Sequence, residues 1–331
     1  MKERGGKLKN YISIDIGGTA IKYGIISEDG RIQKKEKMDT EAWKGGSAIL
    51  EKVTAVAEQL REEWNPSGIC ISTAGMVDVE RGEIFYAAPL IPDYAGTRFK
   101  EVLERRFSLP CEVENDVNCA GLAESISGAA KGASPALCLT IGTGIGGCIL
   151  IDGKVFHGYS NSACEVGYMH MDGSDFQTLG AASILTKKVA ARKGETEEKW
   201  DGIAVFDGAE KGDKICVEAI DEMAEVLGRG IANICFVINP EVVVLGGGIM
   251  AQEAYLKERI ETALKKNLVA SMAEKTRLEF ARHKNDAGML GAFYHFCARQ
   301  RERTRNQILK RKRAAPPASS KRGCRGRLLL D

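Results

Sequence analysis

The sequence predicts an α/β protein built as two similar lobes facing each other across a cleft. Three observations carry this. The chain has 331 residues, more than one compact core usually holds. A strand, a glycine-rich corner, a second strand, a turn and a third strand open the chain at Tyr11, and the same series recurs from Leu137. Each of these β-meanders then runs on into helices and further strands. That is duplication at the scale of a lobe, not of a short repeat array.

Tyr11 to Ile16 alternates enough to read as a strand; Gly17-Gly18-Thr19 follows, then a β-rich run from Ile21 to Ile26. Glu28-Asp29-Gly30 turns into a third strand, Arg31 to Met38. From Ser47 the period changes: Ile49, Val53, Val56, Ala57, Leu60 and Trp64 share a helical face that Asn65-Pro66 ends. Gly68 to Ser72 is a short buried strand, Thr97 to Phe107 a helix, Cys111 to Glu114 a strand and Val117 to Ser125 a small-residue helix. In the second half, Leu137 to Ile141 and Ile145 to Ile151 flank Gly142-Thr143-Gly144, and Asp152-Gly153 turns into a third strand. Helices are expected near Ala182 to Arg192, Asp201 to Ala209 and, at spacings of three and four, Cys216 to Ile238. Val242 to Leu245 is a buried strand opening onto Gly246-Gly247-Gly248, and a last helix spans about Asp286 to Cys297.

Composition narrows the class. Hydrophobic content of 44% with 28% charge excludes a disordered chain. No apolar run approaches the roughly 20 residues that span a bilayer, and the polar start, Met1 to Asn10, does not read as a secretory signal. The net charge of +2 conceals two unlike parts: from Arg299 onward twelve Lys or Arg face two acids, +10, which leaves −8 for the rest. Any interaction with nucleic acid or membrane rests on that tail, and its Pro316-Pro317, serines and clustered cations have the composition of a disordered extension. We expect neither specific nucleic-acid binding nor membrane association from it. The ten cysteines contain no C-x-C or C-x-x-C pair, and Cys70, Cys138, Cys148 and Cys235 sit in apolar segments. They read as small buried hydrophobes in a reducing cytoplasm.

The glycine corners point to phosphate. A tight turn between strands aims several backbone N–H groups one way, and missing Cβ atoms allow close approach. Gly17, Gly18 and Thr19 make one such corner, and Thr143 and Gly144 belong to the other. Either alone is also an ordinary hairpin turn. Asp15, at the end of the first strand, has no packing reason to be there and suits Mg²⁺, directly or through water. Lys22 adds a cation to the same hairpin or is simply solvated. Gly142, Gly144 and Gly147 match G-x-G-x-x-G, but a strand follows where a dinucleotide site needs a helix, so NAD is excluded. Gly247 and Gly248 lie either on a glycine surface fit for an adenine or ribose or in a plain strand-to-helix turn. In Glu114-Asn115-Asp116-Val117-Asn118, Asn115 or Asp116 suits an N-cap; equally, amides there suit sugar hydroxyls and one aspartate suits a general base. Glu165 is a second polar anchor.

Taken in order, these segments resemble the ROK family of sugar kinases, within the actin, sugar-kinase and heat-shock-protein-70 ATPase fold (ribonuclease H-like lobes), over about Lys9 to Ala298. D-I-G-G-T (Asp15 to Thr19) and I-G-T-G-I-G-G (Ile141 to Gly147) are similar to its two phosphate motifs. S-T-A-G-M-V-D (Ser72 to Asp78) resembles the glycine loop bordering the sugar, with Gly75 in it, and V-L-G-G-G (Val244 to Gly248) the adenosine motif. E-N-D-V-N (Glu114 to Asn118) resembles the catalytic segment, with Asp116 as base. The resemblance implies ATP- and Mg²⁺-dependent phosphorylation of a sugar hydroxyl, the 6-OH of a hexose, hexosamine or β-glucoside, in a cytoplasmic homodimer. It implies a small N-terminal lobe of residues 9–115 with 286–298, a large C-terminal lobe of 116–285, and the tail 299–331.

One departure stands out. Many members carry E-x-G-H followed by a cysteine cluster that binds structural zinc. Here Glu165-Val166-Gly167-Tyr168 has tyrosine for the histidine, and Met171 to Leu179 contains no cysteine. His157 and His170 alone do not make a structural zinc site. No zinc is expected, as in the zinc-less branch that includes β-glucoside kinases, and a substituted or disaccharide acceptor is expected to fit. The family's transcriptional repressors and a non-catalytic sugar-binding regulator are the alternatives. About ten residues before the first strand leave no room for the repressors' DNA-binding domain, and retention of Asp15 and Asp116 favours an enzyme.

Overall fold

A computed structural model describes residues 8–314. One unit runs to Phe296 and a second begins at Cys297. The opening meander is β1 (Asn10–Ile16), β2 (Ala20–Ser27) and β3 (Ile32–Asp39). β1 is buried from Tyr11 to Ile16, whereas β3 is the edge and carries lysines, the residue type that disfavours edge-to-edge pairing. α1 (Gly45–Trp64) buries Ile49, Val53, Val56, Ala57 and Leu60, the face the period indicated. Asn65 ends it in a left-handed conformation at φ 47°, its N–H on the Arg61 carbonyl.

β4 (Ile69–Thr73) is wholly buried and lies parallel to β1. A hairpin of β5 (Met76–Asp78) and β6 (Glu83–Tyr86), then α2 (Phe99–Phe107), lead to β7 (Cys111–Asn115). The first sheet has the order β3-β2-β1-β4-β7.

α3 (Asp116–Ser127) passes to a second meander of β8 (Ala136–Ile141), β9 (Ile145–Ile151) and β10 (Lys154–Val155). Next come a small hairpin, β11 (His170–Met171) with β12 (Ser174–Asp175), and the helices α4 (Phe176–Gly180) and α5 (Ala182–Lys193). α6 (Gly202–Glu210) and the long α7 (Lys214–Ile238) follow. β13 (Val242–Gly246) is added parallel to β8, and after α8 (Glu253–Asn267) and the single turn α9 (Ala270–Ala273), β14 (Arg277–Phe280) completes the sheet. Its order, β10-β9-β8-β13-β14, repeats the first sheet position for position. Parallel neighbours need long crossovers, and helices supply them in both halves. Each sheet has its own core, Ile12, Ile14 and Ile71 in one and Leu139, Ile231 and Val243 in the other.

α10 (Ala287–Ala314) starts against the first sheet: Ser13 Oγ donates to the Met289 carbonyl at 2.8 Å, and Tyr11 meets the Phe293 ring at 5.3 Å. The sequence places the end of this helix near Cys297 and predicts disorder from Arg299 onward; the structure carries the helix to Ala314. No glycine or proline interrupts Cys297 to Ala314, and the Arg, Gln, Lys and Leu there are good helix formers. The rest of the expected disordered tail lies outside the described residues. β14 and the β5–β6 hairpin have no counterpart among the expected elements, because strands of three or four residues are too short to show a period. The four cysteines expected to be buried are buried, and none of the described cysteines forms a disulfide. No helix among the described residues is long and apolar enough to cross a membrane.

Candidate active site

The strands deliver their C-terminal ends to two adjoining cavities. The larger, of about 400 Å³, is lined by Asp15, Gly17, Lys22, Asp116, Gly246, Gly247, Gly248 and Gly288, among others. Asp15, next to last in β1, lies opposite Lys22 of β2, and the two side chains pair at 3.2 Å. Its other oxygen accepts from Ser72 Oγ at 2.7 Å, from the neighbouring end of β4. Only 9% of Asp15 is exposed. α10 begins directly against it: a Cβ on Gly288 would fall 2.3 Å from the Asp15 carboxyl carbon. Gly247, at φ 103°, turns β13 away where a Cβ would fall 2.2 Å from the Ile141 carbonyl oxygen. Only glycine takes that conformation in that space.

The smaller cavity, of about 150 Å³, is lined by Gly75, Met76, Tyr86, Ala88, Asn115, Val117, Gly146, Gly147, Glu165 and Tyr168. Asn115 therefore faces one cavity and Asp116 the other. Asn115 is the N-cap of α3, its Oδ1 accepting from the N–H groups of Val117 at 2.9 Å and Asn118 at 3.1 Å. Its Nδ2 donates to the Gly75 carbonyl at 2.9 Å and to Asp116 Oδ1 at 3.0 Å. This settles which of the two residues caps the helix, and it leaves Asp116 projecting into the cleft. Val117 N–H also donates to Asp116 Oδ1, at 2.9 Å.

Asp116 is electrostatically unusual. Desolvation first, then the like charges of Asp15 and Glu165, lift its carboxyl to about 7 against the hydrogen bond from Val117. A carboxyl poised near neutrality in a cleft has the character of a general base. Desolvation also raises the carboxyl of Glu165. Tyr94, buried near Asp116, shares a 2.5 Å hydrogen bond with Thr73 at the end of β4.

Behind this corner lies a buried ionic cluster that sequence reasoning missed. Glu114, 1% exposed, contacts His157 Nε2 at 2.6 Å and His295 Nδ1 at 3.2 Å through one oxygen. Its other oxygen accepts from the Asn115 N–H at 2.8 Å and Asn118 Nδ2 at 3.0 Å. Burial alone would raise this carboxyl, but His295, His157 and Asn118 outweigh it and hold it below its ordinary value. The buried anion fixes the segment that carries Asn115 and Asp116. His157 is remote in sequence and His295 sits inside an apolar helix face, so no spacing rule would have joined them to Glu114.

Of the residues singled out from sequence, Asp15, Gly17, Lys22, Asp116, Gly247 and Gly248 gather around the larger cavity. Gly75, Asn115 and Glu165 gather around the smaller one. Gly18, Thr19, Thr143 and Gly144 line neither. They stand on the two hairpin corners, where Gly18, Thr19 and Thr143 are exposed. Lys22 is ion-paired with Asp15, not simply solvated. Tyr86 and Ser72 are further site residues, and neither carries a signal of its own in the sequence. No group of three or more His, Cys, Asp or Glu side chains suited to a metal ion occurs among the described residues.

A sequence model of the ROK family matches residues 11–299. The chain belongs to the ROK family. A β-glucoside kinase of Klebsiella pneumoniae is 33% identical over 292 residues, covering 86% of this chain and 95% of that protein. The ROK glucokinase of Streptomyces griseus, solved with glucose and AMPPNP, aligns with a TM-score of 0.76 at 26% identity, over 86% of this chain and 98% of that one. A ROK family protein of Streptococcus pneumoniae, solved with sucrose, aligns with a TM-score of 0.78 at 30% identity, over 88% and 99% of the two chains. The two-lobed α/β architecture of this ROK protein is thus the actin-like ATPase fold of sugar kinases.

Proposed function

We propose that this ROK protein is an ATP-dependent sugar kinase with Asp116 as its general base. One observation carries the reading. A carboxyl lifted to about 7 sits where a glycine-lined cavity meets a smaller one lined in part by an amide and a carboxylate. The larger cavity takes the nucleotide, with Gly17, Lys22, Gly247 and Gly248 on its wall and the Gly18–Thr19 and Thr143–Gly144 corners presenting backbone N–H groups. The smaller takes the sugar, held by Asn115, Glu165 and the Gly75 loop.

In the reaction, the acceptor hydroxyl oxygen attacks the γ-phosphorus and the bond to the β,γ-bridging oxygen breaks, releasing ADP. Asp116 Oδ1 already accepts two hydrogen bonds, from Val117 and Asn115, which leaves Oδ2 to take the hydroxyl proton. Asp15, a hard oxygen donor on the cavity wall, is the residue that would hold Mg²⁺, which when bound offsets phosphate charge. Lys22, paired with Asp15, adds a second positive charge to that wall. Residues 9–115 with the start of α10 make one lobe in this reading and 116–285 the other, which the packing of Met289 and Phe293 on β1 supports.

For the acceptor we take a hexose at its 6-OH, with β-glucosides included. Tyr168 in place of histidine and the cysteine-free Met171 to Leu179 segment support this, as does the likeness to a β-glucoside kinase. ADP release measured over glucose, N-acetylmannosamine, N-acetylglucosamine, fructose, allose and cellobiose tests the reading. Asp116→Asn should lower kcat about 10²- to 10⁴-fold on the best acceptor. A fully active Asp116→Asn protein overturns the base. Binding of a sugar without any ADP release points instead to a regulator.

A further inference from the structure

The lining of the smaller cavity is of two chemical kinds. Asn115 and Glu165 are polar, whereas Met76, Tyr86, Ala88 and Tyr168 form an apolar edge. Tyr86 and Tyr168 come from opposite halves of the sequence, yet both line this one opening. They are 46% and 48% exposed, large aromatic surfaces left open to solvent. The Tyr86 phenol is close enough to act on Tyr168: burial first, then the neighbouring Tyr86, raises the Tyr168 hydroxyl above its ordinary value.

The backbone that carries each ring is packed. Tyr86 is the last residue of β6 and pairs with Met76 of β5. A Cβ on Gly75 would fall 2.8 Å from the Tyr86 carbonyl oxygen, so the sugar-side loop is packed onto that backbone. Tyr168 ends a short turn whose Val166 and Gly167 are buried. A Cβ on Gly167 would fall 2.4 Å from the Ile145 carbonyl oxygen, so β9 backs the turn directly. Two aromatic rings carried on packed backbone beside a sugar-sized opening offer apolar area at small entropic cost.

We propose that Tyr86 and Tyr168 form a stacking subsite for an apolar or aromatic substituent on the sugar's anomeric oxygen, and that this pair selects substituted over free or minimally substituted sugars. The proposal rests on the sugar-kinase reading of the same site. With the acceptor hydroxyl at Asp116 and the other hydroxyls on Asn115 and Glu165, a substituent would leave the cavity past the solvent-exposed Tyr86 and Tyr168.

Methyl and phenyl β-D-glucoside differ only in the substituent and provide the test. The wild-type protein should favour phenyl over methyl in kcat/KM by about fivefold to tenfold. Tyr86→Ala and Tyr168→Ala should each bring that ratio close to one, and Tyr168→Phe, which keeps the ring, should restore it. A wild-type ratio near one overturns the subsite, as does a ratio that survives both alanine variants or is lost equally in Tyr168→Phe. Phosphorylation of free hexoses but of neither glucoside overturns it too. If no sugar is phosphorylated, the kinase reading fails. Calorimetric affinities of the two glucosides then decide the subsite separately: tighter phenyl binding that Tyr168→Ala removes supports it, and equal binding ends it.

Discussion

The β1–β2 and β8–β9 hairpins share a register up to their glycine corners, and the last pairs before the turn are Ile16 with Ile21 and Ile141 with Ile145. One step back they diverge. The first hairpin sets Asp15 against Lys22, whereas the second sets Thr140 against Gly146. A Cβ on Gly146 would fall 2.5 Å from Val117 Cγ2, in the first turn of the helix that begins with Asp116. So one hairpin supplies charge to the larger cavity, and its twin supplies the space that seats the helix carrying Asp116. The two sheets share one strand order, and this pair of positions is where the two hairpins differ in chemistry.

If that contrast holds, breaking the charged pair should be the costlier change. Asp15→Asn should lower kcat/KM for nucleotide about 10²-fold or more, as loss of a group stabilising transferred charge does. Thr140→Val, at the matching place in the other hairpin, should cost about tenfold less than that. Steady-state kinetics with saturating sugar measures both, and equal losses would mean that the two hairpins contribute alike.

The second hairpin is better broken through packing. Gly146→Ala forces a methyl group into Val117 and should destabilise the fold by about 1–3 kcal/mol. Gly18→Ala, on the corner of the first hairpin, meets nothing within 4 Å and should change stability by less than about 0.5 kcal/mol. Chemical denaturation midpoints of the two variants separate these outcomes. A Gly146→Ala protein as stable as the wild type would show that α3 yields easily, and the seating argument would fall.

The same contrast explains what is legible in the sequence. The hairpins can be read because glycine corners and alternating apolar residues repeat at the scale of a lobe. Asp15 can be read because a carboxylate at a strand end has no packing use, whereas Asp116 and Asn115 share one segment in which the sequence alone leaves cap and base open. Long helices such as α7 declare themselves through their period, and its stop at Asn239-Pro240 is equally plain. Ser72 has no signal beyond its place in a motif, since nothing in S-T-A-G-M-V-D says that its hydroxyl bonds Asp15. The Glu114–His157–His295 cluster and the convergence of Tyr86 with Tyr168 are invisible for a common reason. They join residues from distant segments, and only the tertiary fold sets those segments side by side. α10 runs past its expected end because its apolar face stops near Cys297 while its helix-forming residues do not.

The two halves also press on Asp116 unequally. After desolvation, Asp15 from the first half raises its carboxyl more than Glu165 from the second does. With that carboxyl at about 7, Asp116 is protonated below neutrality and unable to accept a proton. kcat/KM should therefore rise about tenfold per pH unit up to that point and then level off. Removing a nearby negative charge lets Asp116 lose its proton more readily, so the acid limb moves to lower pH. Glu165→Gln should produce a small downward move and Asp15→Asn, followed through its residual activity, a larger one. A limb that stays in place in both variants would mean that burial alone sets the base, and a larger move with Glu165→Gln would reverse the ranking of the two halves.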